Sequence, residues 1–165
     1  MRARRIVVGL DSRLRTDAAL GALAALAALA AEMEAELIGL FVEDVDLLHL
    51  AALPFAREVG FPSATRRDLD VARMERSFEA LANELRRACE AVLKSSSVNW
   101  SFRVARGSRA DQLLSAATET GAPTLLVPSG TDPRAEPVVV SRSGLTEKSL
   151  RELLDSAQRP ILILP

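Results

Sequence analysis

Small and hydroxyl-bearing residues follow an apolar run in the stretch 122–144, APTLLVPSGTDPRAEPVVVSRSG. Ser129 and Gly130 come just after the run Thr124–Val127, and Ser141 follows a second apolar run. Glycine lets a backbone approach phosphate closely, while amides and hydroxyls donate hydrogen bonds to the phosphate oxygens. The pattern indicates that this loop would hold a phosphate or another anion, although a plain turn explains the same residues as well.

Arginine side chains offer a second way to hold an anion, one that needs no glycine loop. Candidates near the predicted strand ends are Arg13, Arg15, Arg109 and Arg142. Solvated surface arginines are the commoner outcome for such positions, so this alternative stays open.

The chain has one histidine, His49, and one cysteine, Cys89. They cannot supply the ligand set of a structural zinc site, and no nucleophile, base and orienting residue can be assembled from them. Cys89 lies in an amphipathic pattern and is expected to be a small buried residue. We therefore expect no catalytic residue and no metal site.

Length and composition favour an ordinary globular protein. The 165 residues suit one domain over 1–165, and the formal net charge of −1 gives no field that would attract nucleic acid. The apolar runs at 6–10 and 18–31 are too short for a signal-peptide core or a membrane span. We expect no membrane partner, no nucleic-acid partner and a cytoplasmic location.

The elements that must position these residues alternate between strands and helices. Predicted strands are Ile6–Leu10, Glu36–Val42, Asn99–Ala105, Thr124–Val127 and Ile161–Leu164, with Pro137–Val140 as a further short candidate. Predicted helices cover about 17–35, 69–94, 109–120 and 145–158, with Thr16 and Ser108 as N-caps. This alternation predicts an α/β fold, a doubly wound, Rossmann-like, five-stranded parallel sheet with helices on both faces. We expect the strand order 3-2-1-4-5.

The segment 45–68 is the least regular part of the sequence. Its Leu-rich first half predicts a short helix up to Pro54, and its second half, with Pro54, Gly60 and Pro62, predicts a loop. The sequence leaves open whether this segment is a lid or part of an interface.

Three segments resemble the universal stress protein family, and the resemblance covers nearly the whole chain. They are the opening strand and turn IVVGLDSR, the stretch from Arg106 to Val127, and the ending LRELLDSAQRPILIL. The resemblance implies that family's adenine-nucleotide-binding type of doubly wound fold and a homodimer joined through the last strand.

ATP-binding members of the family carry Gly-x2-Gly-x9-Gly-Ser/Thr after the fourth strand. In this chain Val127 and Val140 replace the first and third glycines, so Gly130 and Ser141 alone remain. A β-branched side chain obstructs the approach of phosphate and resists positive φ, and two prolines in the loop lack amide donors. We therefore expect weak or absent ATP binding in the family's mode.

The resemblance implies roles for individual residues. The implied cofactor-binding residues are Asp11, Val42, Ser129, Gly130 and Ser141. Asp11 would touch the nucleoside and Val42 would line the adenine pocket. An Asx turn before Thr16 explains Asp11 as well, and an ordinary strand position explains Val42 better.

These inferences predict a non-catalytic stress-response or regulatory module that acts as a homodimer, with an unidentified protein as a further partner to seek. The apolar strand Ile161–Leu164 is the expected dimer edge, so that lysine at Ile161 and Ile163 should give a monomer. The alternative is a universal stress protein that binds ATP or AMP through an altered phosphate loop. Val8–Ser12 partly resembles the phosphate loop of ATP pyrophosphatases, but the leading Ser-Gly is missing, so an enzyme is not expected.

Overall fold

The computed structural model describes residues 3–45, 57–60, 65–68, 71–156 and 158–165. The helices are α1 (Asp17–Met33), α2 (Val71–Leu93), α3 (Arg109–Thr118) and α4 (Glu147–Ser156). The strands are β1 (Arg5–Leu10), β2 (Glu36–Asp44), β3 (Arg57–Gly60), β4 (Thr65–Asp68), β5 (Trp100–Gly107), β6 (Thr124–Val127), β7 (Val138–Ser141) and β8 (Ile161–Leu164). None of the helices in this part of the chain is both long and apolar enough to cross a membrane.

Within the described residues the main sheet has six strands in the order β5-β2-β1-β6-β8-β7. β5, β2, β1 and β6 are parallel, as predicted, and β8 lies beside β6. The fold class is confirmed, as is the relative order of the five predicted strands. Two details differ: β7 adds a sixth strand at the edge, and β8 runs antiparallel to β6.

The reversal of β8 follows from the loop between β6 and β7. Turns close with Thr131 N–H donating to Pro128 O and Ala135 N–H donating to Asp132 O, both at 3.1 Å. The chain then enters β7 in the direction opposite to β6. Because β7 and β8 are joined through the helix α4, they pair in parallel, and β8 is consequently antiparallel to β6.

Local sequence signals place the helix starts where they were expected. The Thr16 hydroxyl accepts from Ala19 N–H at 3.2 Å and caps α1, and the Ser108 hydroxyl accepts from Asp111 N–H at 3.2 Å and caps α3. Both capping predictions are confirmed. At the end of α1, Glu34 takes a left-handed conformation with φ of 53°, which closes the helix before β2.

Apolar side chains cover the sheet on both faces. On one face α1 and α2 pack against the sheet through residues such as Leu26 and Leu85, which are almost fully buried. On the other face α3 and α4 pack through Leu113 and Leu150, whose exposed fractions are 0%. Helices on both faces are the arrangement that the alternating pattern predicted.

The final strand does not lie at the edge of the sheet. β8 is bonded to β6 on one side and to β7 on the other, so β7 takes the edge position that was expected for Ile161–Leu164. Ile161 is 0% and Ile163 2% exposed. Lysine at these positions would place a charge in the core, and would therefore test folding rather than dimerisation.

The segment 45–68 was expected to lack strands in its second half, and this expectation is wrong. β3 and β4 form a separate two-stranded antiparallel sheet, with Arg57 opposite Asp68 and Gly60 opposite Thr65. Gly60 ends β3, a position where glycine is tolerated, and Pro54 and Pro62 fall outside the described residues. The short helix predicted before Pro54, and His49 with it, fall outside the described residues.

Candidate functional site

A cavity of about 620 Å³ lies beside the carboxyl ends of β1 and β6. Its inner wall is apolar and includes Val8 of β1 and Val127 of β6. Its remaining walls are α1 and the loop 128–134. In open α/β sheets ligands bind outside the carboxyl ends of the strands, so this cavity is the candidate site.

The loop 128–134 approaches β1 closely. A methyl group added at Gly9 would lie 3.5 Å from the amide nitrogen of Ser129, which is ordinary van der Waals contact. Gly130 has φ of 78°, a conformation that glycine adopts without strain. The loop therefore turns at Gly130 directly against the end of β1, where Asp11 begins the next turn by accepting a bond from Leu14 N–H at 3.1 Å.

Three of the five predicted site residues line this cavity: Asp11, Ser129 and Gly130. Val42 does not, because its side chain packs on the opposite face of the sheet, against the cluster of α3 and α4. Its role as an ordinary strand residue is the one that the structure favours.

Ser141 lies at the other end of the sheet. In the sheet, Ser141 of β7 is opposite Leu164 of β8. The residue before Leu164 is Ile163, which is opposite Thr124, the first residue of β6. Two strand spacings and at least four residues along the strand separate Ser141 from Val127, a distance of about 16 Å or more. The next residue, Arg142, donates to Thr120 O at 3.2 Å, before the start of β6. The structure therefore does not bring Ser141 and Gly130 together.

The four arginines considered as an anion site do not converge in the same way. Arg142 is held near the amino end of β6, whereas Arg109 begins α3 after the carboxyl end of β5. The side chains of Arg13 and Arg15 fall outside the described part of the structure.

Sequence reasoning missed the wall that α1 contributes to the cavity. Ala18, Gly21, Ala22 and Ala25 line it from the helix, and Arg134 lines it from the loop. Small residues also let a helix pack closely on a sheet, so their presence alone does not indicate a cavity. The signal that could have located the cavity was their clustering on one side of α1, since small side chains cannot fill the space between the helix and a loop.

A second cavity of about 510 Å³ continues the first along α1. The two share Ala25, Pro133 and Arg134, and the second extends past Leu29 to Leu162 of β8. Together they form a groove between α1 and the 128–137 loop. Its lining offers apolar contact over most of its length and polar groups near Asp11.

An ion-pair network fixes the sheet end beside this region. Arg106 of β5 donates to Glu43 of β2 at 3.0 Å and to Glu75 of α2 at 3.1 Å. The hydrogen bond to Glu43 is the main cause that raises the pKa of the Arg106 guanidinium above its usual value. Among the described residues, no group of three His, Cys, Asp or Glu side chains is placed to hold a metal ion.

Solved structures with the same fold include universal stress proteins. The chain is similar to the hypothetical protein MJ0577 (13% identity, TM-score 0.55) over 99% of this chain and 96% of that one. It is similar, over the same shares, to a universal stress protein family member from Burkholderia pseudomallei (20% identity, TM-score 0.53). It is also similar to UspA from Lactobacillus plantarum (16%, TM-score 0.51) over 100% and 99%.

The sequence itself matches no protein-family model, and no curated protein matches it. At these identities the structural likeness shows the fold. The resemblance drawn from the three sequence segments is therefore confirmed at the level of the fold.

Proposed function

We propose that this chain is a universal-stress-protein-like regulatory module of a stress response, that it acts as a homodimer without catalysis, and that it binds ATP weakly or not at all in the family's mode. The shared fold over nearly the full length of both chains supports the first part. Its cytoplasmic location stays a prediction from the sequence.

One observation carries the proposal about ATP: residues 138–141 form the edge strand β7 instead of completing a loop around Gly130. A phosphate chain held in the family's mode needs the residues before and after the long spacer to meet on one ligand. Three consecutive valines favour a strand, and pairing with β8 satisfies the backbone groups of Val138 and Val140. Residues 138–141 therefore do not line the cavity.

The remaining loop is poor in phosphate donors. Val127 occupies the first glycine position and is 2% exposed, so its side chain belongs to the core. Pro133 and Pro137 lack amide hydrogens. The loop thus retains Gly130 and its neighbours, but not the run of free amides that cradles a phosphate.

The cavity itself favours the alternative, a protein that binds ATP or AMP in an altered pocket. Its volume of about 620 Å³ lies within the range of small-molecule sites, roughly 300 to 1,000 Å³. Asp11, Ser129 and Gly130 supply polar groups at one end and α1 supplies an apolar wall. In this alternative the nucleoside would be held between β1 and α1, and Ser141 would take no part.

Isothermal titration with Mg-ATP and with AMP separates the two proposals. We expect no saturable heat up to a nucleotide concentration of about 1 mM, equivalent to a binding free energy weaker than about −4 kcal/mol. A micromolar dissociation constant would contradict weak binding, and two variants then identify the mode. Loss in Gly130→Val with retention in Ser141→Ala supports the altered pocket, whereas loss in both variants supports the family's mode.

The proposed absence of catalysis rests on the residue types available. Cys89 is 2% exposed, and burial is the main cause that raises the pKa of its thiol to about 11. A thiol in this state does not act as a nucleophile at neutral pH. His49, the one histidine of the sequence, falls outside the described residues.

A further inference from the structure

The second cavity, between α1 and the loop 133–137, has an apolar floor. Leu125 of β6 and Leu162 of β8 are opposite each other in the sheet, and both belong to the core cluster that packs under α1. Both also line the cavity, whose volume is about 510 Å³. Its side walls are Ala25 and Ala28 of α1 and the loop 133–137. Such a space can bury an aliphatic chain and remove it from water.

The length of the α1 wall limits the length of such a chain. From Ala25 to Met33 this wall advances eight residues, about 12 Å at a rise of 1.5 Å per residue. An extended chain with C–C bonds of about 1.5 Å advances about 1.3 Å per carbon, so about nine or ten carbons cover this length.

One basic side chain stands where the two cavities meet. Arg134 lines both cavities and is the one Lys or Arg among the described residues that line either of them. Its backbone N–H donates to Asp132 Oδ1 at 2.9 Å, whereas its guanidinium has no hydrogen bond or ion pair with any residue that the structure describes. A guanidinium in this state can bind a carboxylate through two parallel N–H bonds.

A hydroxyl on the same loop is also without a partner. Thr131 is 7% exposed and lines the first cavity, three residues before Arg134. Its backbone N–H donates to Pro128 O, but within the described part of the chain its hydroxyl makes no hydrogen bond. A buried polar group without a partner is unfavourable, so this hydroxyl is a second donor for the oxygen of a ligand.

Acidic side chains determine which way the ligand lies. Glu32 is next to Met33, at the end of the α1 wall away from Ala25. A carboxylate placed there would be repelled, whereas at Arg134 it meets the opposite charge. Glu136 of the loop also lines the cavity, but it is exposed, and water and salt screen its repulsion. The charges therefore favour a head group at Arg134 and a chain directed toward Met33.

We propose that the second cavity binds a monocarboxylate with an unbranched aliphatic chain of about ten carbons. Arg134 and Thr131 hold the carboxylate, and the chain lies on Leu125 and Leu162, between α1 and the loop. This inference goes beyond the proposed function, because it requires neither a bound nucleotide nor a homodimer.

The test is an amide NMR titration of the full chain with decanoate, at concentrations below those at which decanoate forms micelles. We expect saturable shifts at Ala25, Ala28 and Arg134, with a dissociation constant below about 1 mM. Hexanoate has four fewer methylenes and should bind at least about tenfold more weakly. Decyltrimethylammonium has the same chain length with the opposite charge, and should also bind at least about tenfold more weakly than decanoate.

Two variants, each with a matched control, locate the ligand. Arg134→Gln removes the head-group charge and should weaken decanoate binding about tenfold or more, whereas Arg87→Gln, at an exposed arginine of α2, should leave it unchanged. Ala28→Phe fills the cavity and should abolish the shifts. Ala24→Phe alters an exposed alanine of the same helix that is not among the cavity-lining residues, and should preserve them.

Three results would overturn this proposal. They are a folded spectrum without saturable shifts, decanoate binding that survives Arg134→Gln, and decyltrimethylammonium binding as tight as that of decanoate. Shifts at the cavity that follow protein concentration instead of decanoate would assign this surface to a second copy of the chain, and would also overturn it. The nucleotide titration tests the proposed function separately, so the two can fail independently.

Discussion

Valines stand at both positions where the family's ATP-binding members carry the outer glycines, and the two valines have different structural roles. Val127 is buried at the end of β6, in the core cluster below α1. Val140 is a strand residue of β7 and packs on the opposite face, toward α3 and α4. Each valine is held by apolar packing, so neither side chain can move aside for a phosphate without loss of core contacts.

Cys89 gives a prediction at the level of one side chain. Because the thiol is buried and the pKa is raised to about 11, it should not react with an aromatic disulfide reagent in the folded protein at pH 8. It should react fully in urea. The rate is followed by absorbance, and a fast reaction of the native protein would show that the face of α2 that carries Cys89 is not packed against the core.

Among the elements, the amino ends of the strands are joined by a buried guanidinium. Arg5 of β1 is 5% exposed and donates to Ala116 O of α3 at 3.1 Å. It also donates to Glu119 at 3.0 Å, and Arg103 of β5 donates to the same carboxylate oxygen at 2.7 Å. Arg5 Nε lies 3.5 Å from a Glu36 oxygen, an ion pair without a hydrogen bond. The network connects β1, β2, β5 and α3 at the end of the sheet opposite the cavity.

Glu119 makes this network sensitive to acid. The hydrogen bonds from Arg103 and then Arg5 hold the pKa of Glu119 below its ordinary value of 4.5. Its contribution to the free energy of unfolding is therefore present above pH 4.5 and is lost as the pH falls from there through the lowered pKa. We expect Glu119→Gln to lower the urea midpoint at pH 7 and to reduce its fall between pH 5 and pH 3.

The control for that measurement is Glu152→Gln, at an exposed carboxylate of α4. It should leave both the midpoint at pH 7 and the acid dependence close to those of the parent. If Glu119→Gln shows the parent's full acid dependence, the carboxylate is not held by the two arginines in solution.

In the whole molecule, the direction of the chain decides which loops can meet. β6 delivers Gly130 to the carboxyl end of the sheet, and β7 delivers Ser141 to the amino end, because β7 and β8 run opposite to β6. The cavity and the edge strand β7 are thus separate surfaces.

This separation predicts a long distance between spin labels. With Cys89 replaced by alanine and cysteines placed at the exposed residues Asp132 and Ser141, electron–electron double resonance should give a distance above about 20 Å. An excess of unlabelled protein removes distances between copies. A main distance of about 10–15 Å would show that Ser141 folds back to the loop of Gly130, and would contradict the placement of β7.

The periodic and capping signals of the sequence determined the helices, the five main strands and their packing on both faces. These features depend on neighbouring residues: Thr16 caps α1 through Ala19, and the stripe containing Phe78, Leu81 and Leu85 turns one side of α2 to the core. The cavity-lining roles of Asp11, Ser129 and Gly130 were predictable because carboxyl ends of parallel strands meet at one sheet edge.

Tertiary structure alone determined the direction and the position in the sheet of the stretch 138–141 and of the strand Ile161–Leu164. The sequence marked both as apolar runs, but strand direction and edge position depend on which backbone partners are left unpaired once the other strands are in place. The turns of the 128–137 loop reverse the chain and send Ser141 away from Gly130. Motif spacing counts residues along the chain, and it cannot register such a reversal in space.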